Sequence, residues 1–149
     1  MAERPKLDLG NYLPYLINRV GFALVDSFTA DALTPNGLSI AMWRVLAALS
    51  NRGEQRQIDL VDMTSIDAST MSRLVTRMVR MGLVTRARSK TSSREVVIAL
   101  SPKGGALVQR LIPIAKELER IASADIAARD MAVAKRALRQ IYENLVRSR

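Results

Sequence analysis

Apolar residues recur at intervals of three and four along much of the chain, the spacing of one face of a helix. After a short polar arm, Met1–Asp8, the first such set is Leu13, Leu16, Ile17, Val20, Leu24 and Phe28, which predicts a helix over Asn11–Ala30. Asn11 is placed to cap it, and Pro14 falls in the first turn, where a missing N–H costs no intrahelical bond. Pro35 and Gly37 break the pattern, and Ser39 caps a second helix that reaches about Leu49. Beyond Asn51-Arg52-Gly53 the pattern predicts a short helix over Ile58–Thr64 and a longer one over Ala68–Met81, with only Ser65-Ile66-Asp67 between them. That is helix-turn-helix spacing. Asp67 caps the longer helix and Gly82 stops it. Met71, Leu74, Val75 and Met78 form its inward face, which leaves Ser69, Thr70, Arg73, Thr76, Arg77 and Arg80 outside.

The period then shortens. Leu83–Arg88 and Glu95–Leu100 are β-prone runs joined by the polar turn Ser89–Arg94, and together they predict a β-hairpin, or wing. Ser101 caps a long helix that opens at Pro102 and continues to about Asp125. Within it Leu107, Leu111, Ile114, Leu118 and Ile121 make a seam suited to packing along another helix, with a kink expected at Pro113. A last helix over about Arg129–Val146 carries Leu138, Ile141, Tyr142 and Leu145 on one face, and no Gly or Pro marks its start. The predicted fold is mainly α with a small β-hairpin. It is a winged helix-turn-helix over residues 38–101, flanked by helical segments over 9–31 and 102–149, in a single domain.

Composition narrows the chemistry. A chain of 149 residues with 48% hydrophobic content can bury one core without staples. With no Cys and no His it has no thiolate nucleophile, no imidazole base and no ordinary zinc ligands. No metal and no cofactor are expected. The balance of 23 Lys and Arg against 14 Asp and Glu gives a net charge of +9, which points to a polyanionic partner. No apolar run reaches the ~18 residues of a membrane span. Met1–Leu9 is too polar for a signal peptide, so a cytoplasmic protein acting on nucleic acid, and not on a membrane, is expected.

The excess charge is also focused. Between Ala68 and Arg94 stand seven basic residues (Arg73, Arg77, Arg80, Arg86, Arg88, Lys90 and Arg94) and no acid. A solvated helix face is the ordinary explanation of such a run, but this one coincides with the second helix of a helix-turn-helix and the hairpin after it. A helix fills the major groove and presents its N-terminal residues to the base edges, so Ser69, Thr70, Arg73 and Arg77 are the expected groove contacts. Lys90 and Arg94 at the hairpin tip are placed for an adjacent minor groove. Arg86 and Arg88 lie on a strand, where they face either phosphates or solvent.

The chain here resembles the multiple-antibiotic-resistance regulators, the MarR family. The resemblance runs from Leu9 to Leu145 and is most specific over Ile66–Met78 and Gly82–Arg86, with Leu38-Ser39, Trp43-Arg44-Val45-Leu46, Leu100-Ser101 and Gly104 matching in order. It implies a homodimer whose first helix and two C-terminal helices form the interface, with two winged lobes reading a pseudo-palindromic site on double-stranded DNA. Ser92 departs from the family's usual Asp two residues before the tip arginine, and Ser65 stands where Gly is usual. Family members are often released from DNA by small aromatic or phenolic acids. Tyr15 and Arg19, with Trp43 and Arg44, are candidates for such an effector pocket, although a lone Trp more often belongs to the core and these arginines to ion pairs.

The expected function is a sequence-specific, ligand-responsive transcription repressor and not an enzyme, because no phosphate-binding Gly-rich loop or framed acid pair is present. The alternative is an architectural protein that binds DNA without sequence preference. RNA recognition, which leans on exposed aromatics, fits poorly with 4% aromatic content.

Overall fold

Side-chain caps at Ser39, Asp67 and Ser101 open three of the helices. The computed structural model describes residues 3–149, so Met1 and Ala2 of the polar arm lie outside the described residues. Ser39 Oγ accepts the Met42 N–H at 3.2 Å and opens α2, Ile40–Arg52, which passes the expected Leu49 and is closed by Gly53 at φ 76°. The helix before it, α1, spans Leu13–Phe28. It starts later than expected because Leu9–Asn11 forms a 3₁₀ turn, in which Asn11 Nδ2 donates back to Asp8 Oδ2 at 2.6 Å instead of capping forward. The cap is Tyr12, which makes no side-chain bond, and Pro14 lies in the first turn. After Phe28 the chain passes through a π turn at Thr29–Leu33 and a 3₁₀ turn at Thr34–Asn36, burying Ala32 and Leu33.

The helix-turn-helix follows as α3, Gln57–Thr64, and α4, Ala68–Arg80. Ser65 joins them in the left-handed conformation, φ 55° and ψ 31°, the backbone geometry that a glycine there would adopt without strain. The wing is a hairpin of β2, Val84–Arg88, and β3, Val96–Leu100. A third strand, β1 at Gln55–Arg56, pairs antiparallel with Val97 and Ile98, so the sheet has three strands in the order β1-β3-β2 where a hairpin alone was expected.

Ser101 joins wing and long helix. Its Oγ accepts the Gly104 N–H at 3.0 Å and donates to the Gly82 carbonyl at 2.5 Å. From there α5, Pro102–Ala122, continues as one helix through Pro113 and ends short of the expected Asp125. Gly104, in the first turn of α5, is buried, and an added Cβ would lie 2.0 Å from the Leu83 carbonyl oxygen. Asp125, at φ 61°, turns the chain into α6, Ala128–Arg147.

The described chain falls into two compact units that divide between Ala115 and Lys116. In the first, Leu33, Met42, Leu46, Leu49, Leu60, Met71, Met78, Ile98 and Leu111 are essentially sealed from solvent. This core positions the outward face of α4. The apolar stripe of α1 behaves differently, with Leu13, Leu16, Ile17 and Val20 all exposed. In the second unit α6 buries none of its residues, leaving Leu138, Tyr142 and Leu145 at least half exposed, while Lys135 pairs with Glu119. No helix among the described residues is long and apolar enough to cross a membrane.

Candidate nucleic-acid interface

The outward face of α4 is organised by its cap. Asp67 Oδ1 accepts the Thr70 N–H at 2.9 Å and the Ser69 hydroxyl at 2.9 Å, and Oδ2 accepts the Thr70 hydroxyl at 2.7 Å. The Thr70 bonds, backbone first, and then the Ser69 hydroxyl hold the carboxyl down at about 2, well below its ordinary value. A hydroxyl has one proton to give. With both protons directed at Asp67, Ser69 and Thr70 turn lone pairs outward, and Thr70 Oγ1 also receives Arg73 Nη2 at 3.5 Å. Groups of this kind accept from base amino groups more readily than they donate to phosphates. Because the folded value is depressed, the cap's contribution is complete above the ordinary carboxylate range and is lost as pH falls toward about 2. In thermal melts Asp67→Ala is therefore expected to be less stable than the unchanged chain at pH 7, with the gap closing between roughly pH 4 and pH 2. A gap independent of pH would show that the ionised carboxylate is not the cap.

Arg73 and Arg77 are exposed one helical turn apart, and neither has an acidic partner among the described residues. Lys90 and Arg94 are exposed at the end of the wing. Glu95, beside Arg94, is taken by Arg56 at 2.8 Å, and Ser92 adds no charge, so Arg94 forms no ion pair among the described residues. The other two wing arginines are engaged within the fold. Arg88 Nη1 donates to the Ser93 carbonyl across the turn at 2.9 Å, and Arg86 reaches back to α4 and α3.

Sequence reasoning missed the brace beneath this surface. Arg56 in β1 donates to both oxygens of Asp59 at 2.8 and 3.0 Å and to Glu95 Oε1 at 2.8 Å, joining α3 to the residue that precedes β3 in the wing. The bonds to Asp59 first and then to Glu95 hold the guanidinium above its ordinary value, and the Arg56 bonds hold the Asp59 carboxyl below its own. Arg56 and Asp59 are only three residues apart, but Glu95 lies 39 residues beyond Arg56, and only the fold brings it to them.

The candidate effector residues form two groups. Arg19 Nη1 donates to the Tyr15 hydroxyl at 3.4 Å, and its guanidinium carbon lies 5.6 Å from the centre of that ring. Trp43 is half-buried against Phe28, ring centres 5.0 Å apart, and with Arg44, Ala47 and Met63 lines an open cleft of about 700 Å³ that ends at Thr64 and Ser65. Tyr15 and Arg19 do not line that cleft.

The MarR family model matches residues 36–95, the span from the turn before α2 to the wing. The HTH-type transcriptional repressor Rv2887 of Mycobacterium tuberculosis is 30% identical over 133 residues, covering 89% of this chain and 92% of its own length. A crystal structure of a MarR-family transcriptional regulator from Silicibacter pomeroyi superposes with a TM-score of 0.83 at 26% identity, covering 94% of this chain and 96% of that one. The fold is also that of BpsR from Bordetella bronchiseptica, whose DNA binding is regulated by 6-hydroxynicotinic acid, with a TM-score of 0.77, 24% identity, and coverage of 87% and 98%. With a winged helix-turn-helix, a capped basic helix and a relative matched along nearly its whole length, the chain belongs to the MarR family of transcription regulators.

Proposed function

We propose that the protein is a sequence-specific repressor that binds double-stranded DNA as a homodimer in the cytoplasm, with no catalytic role. The observation that carries this reading is the outward face of α4, where Arg73 and Arg77 have no acidic partner among the described residues and stand on a helix fixed by its Asp67 cap and sealed core face. Ser69, Thr70, Arg73 and Arg77 read base edges in the major groove, and Lys90 and Arg94 reach the flanking minor groove. The exposed apolar residues of α1 and α6 support a dimer built from the segments 9–31 and 102–149, since stripes of this kind are rarely left in water. Two lobes related by a twofold axis then meet a pseudo-palindromic operator.

An architectural protein would share the charge but not the discrimination. Titration of the purified protein against its tightest genomic fragment and against scrambled DNA, over a range of salt, separates the two. A ratio of at least ~1,000 is expected of a regulator, and equal affinity for both DNAs would establish the architectural role.

Release by a small aromatic or phenolic acid is the regulatory half of the proposal, supported by the pairing of Tyr15 with Arg19 and by the cleft that Trp43 and Arg44 line. Tested with 6-hydroxynicotinic acid and a set of hydroxybenzoic acids, Arg19→Ala is expected to bind DNA as the unchanged chain does but to lose at least ~10-fold in its response to the acid, the worth of one charge-assisted hydrogen bond. An unchanged response would remove Arg19 from the site.

A further inference from the structure

Arg86 belongs by charge and position to the basic surface of the wing and is exposed, yet its guanidinium is taken up by bonds within its own chain. Nη1 donates to Thr76 Oγ1 at 2.9 Å, and Nη2 donates to the Ser72 carbonyl at 2.9 Å and to Gln57 Oε1 at 3.2 Å. Thr76 gives its own hydroxyl proton to the Ser72 carbonyl at 3.0 Å, so its lone pairs are the ones turned toward Arg86. Arg86, Thr76 and the Ser72 carbonyl close a ring of hydrogen bonds, to which Gln57 is joined through Arg86. One side chain from β2 thereby grips the middle of α4 and the first residue of α3.

We infer that Arg86 is a positioning residue that sets the wing against the recognition helix, and that Thr76 is its receiver. Ionised donors make the stronger hydrogen bonds, and a planar fork reaching two helices restrains direction as well as distance. The base of the wing packs into the core through Val84 and Ile98 and is braced to α3 through Glu95 and Arg56, while Arg86 is the β2 side chain that bonds directly to α4. When Lys90 and Arg94 reach for DNA at the far end of the hairpin, their aim depends on this bond set at its root. A small error in angle at Arg86 grows along the strand. The inference rests on the proposed roles of α4 and the wing, and assigns Arg86 a part other than a phosphate contact.

The two parts separate in a double-mutant cycle on the tightest genomic duplex, with thermal melts as a check on folding. Lys90→Ala with Arg94→Ala is expected to lower affinity at least ~10-fold in the otherwise unchanged chain, the loss anticipated for two cationic contacts. In the Arg86→Ala, Arg86→Lys and Thr76→Val backgrounds the same pair is expected to cost less than about twofold, because the wing is no longer aimed. Thr76→Val is the decisive background, since it leaves the Arg86 charge in place and removes only its receiver. If the pair costs the same factor in every background, Arg86 acts as an independent charge and the inference fails alone. If the pair costs nothing in the unchanged chain, the wing's proposed role fails and takes the inference with it.

Discussion

Gly104→Ala is expected to destabilise the protein by about 3 kcal/mol, at or beyond the upper end of ordinary overpacking. The added Cβ would meet the Leu83 carbonyl oxygen at 2.0 Å, its carbon at 2.9 Å and its Cα at 3.3 Å, and all three are backbone atoms that cannot rotate away. Either the start of α5 lifts or the first residue of the wing moves. Both also disturb the Ser101 bonds to Gly82 and Gly104. For a domain of this size the loss corresponds to a fall in Tm of roughly 6–12 °C. Gly105 supplies the control within the same turn, because a Cβ there has nothing within 4 Å. Gly105→Ala is expected to be neutral or to stabilise by up to ~1 kcal/mol through helix propensity alone. Equal melting temperatures for the two variants would contradict the close approach of α5 to Leu83.

The second large effect concerns DNA. Arg73→Ala and Arg77→Ala are each expected to weaken binding to the preferred site by about 1–3 kcal/mol, or roughly 5- to 150-fold, and to relax specificity at one position of each half-site. Affinity for scrambled DNA should barely change. Because the two side chains are neighbours on one helix face, their effects need not add. Lys90→Ala is expected to behave in the opposite way, weakening binding about equally to all sequences and lowering the salt slope by about one. Measured affinities on the preferred and scrambled duplexes separate the cases. Uniform losses on both DNAs for Arg73→Ala would make it a phosphate contact and leave sequence reading to other residues.

What could be read in advance was whatever a side chain does to its own neighbourhood. Ser39, Asp67 and Ser101 cap as read, and Gly82 ends α4 region with φ 74°, because each acts over three or four residues. The inward face of α4 follows periodicity alone: Met71, Val75 and Met78 are buried, and Leu74 at the edge of that face is half-buried. The strand β1 was illegible for a physical reason: its two residues pair through backbone groups that every sequence carries. Asn11 had two uses for its side chain, and the backward bond to Asp8 won. The start of α6 depends on Asp125 adopting a left-handed backbone, which aspartate tolerates but does not advertise. At the interface, charge located the surface but not the division of labour within it. Arg86 and Arg94 look alike in sequence, yet one is bonded to two helices and the other has no acidic partner among the described residues.

Genome-wide selection of DNA fragments by the purified protein tests the central claim most directly, because it interrogates the α4 face and the dimer together. The account predicts a short inverted repeat whose half-sites lie about one helical turn (~10 bp) apart. Fragments without a shared sequence, held equally well at any given salt, would contradict it and leave charge alone as the basis of binding.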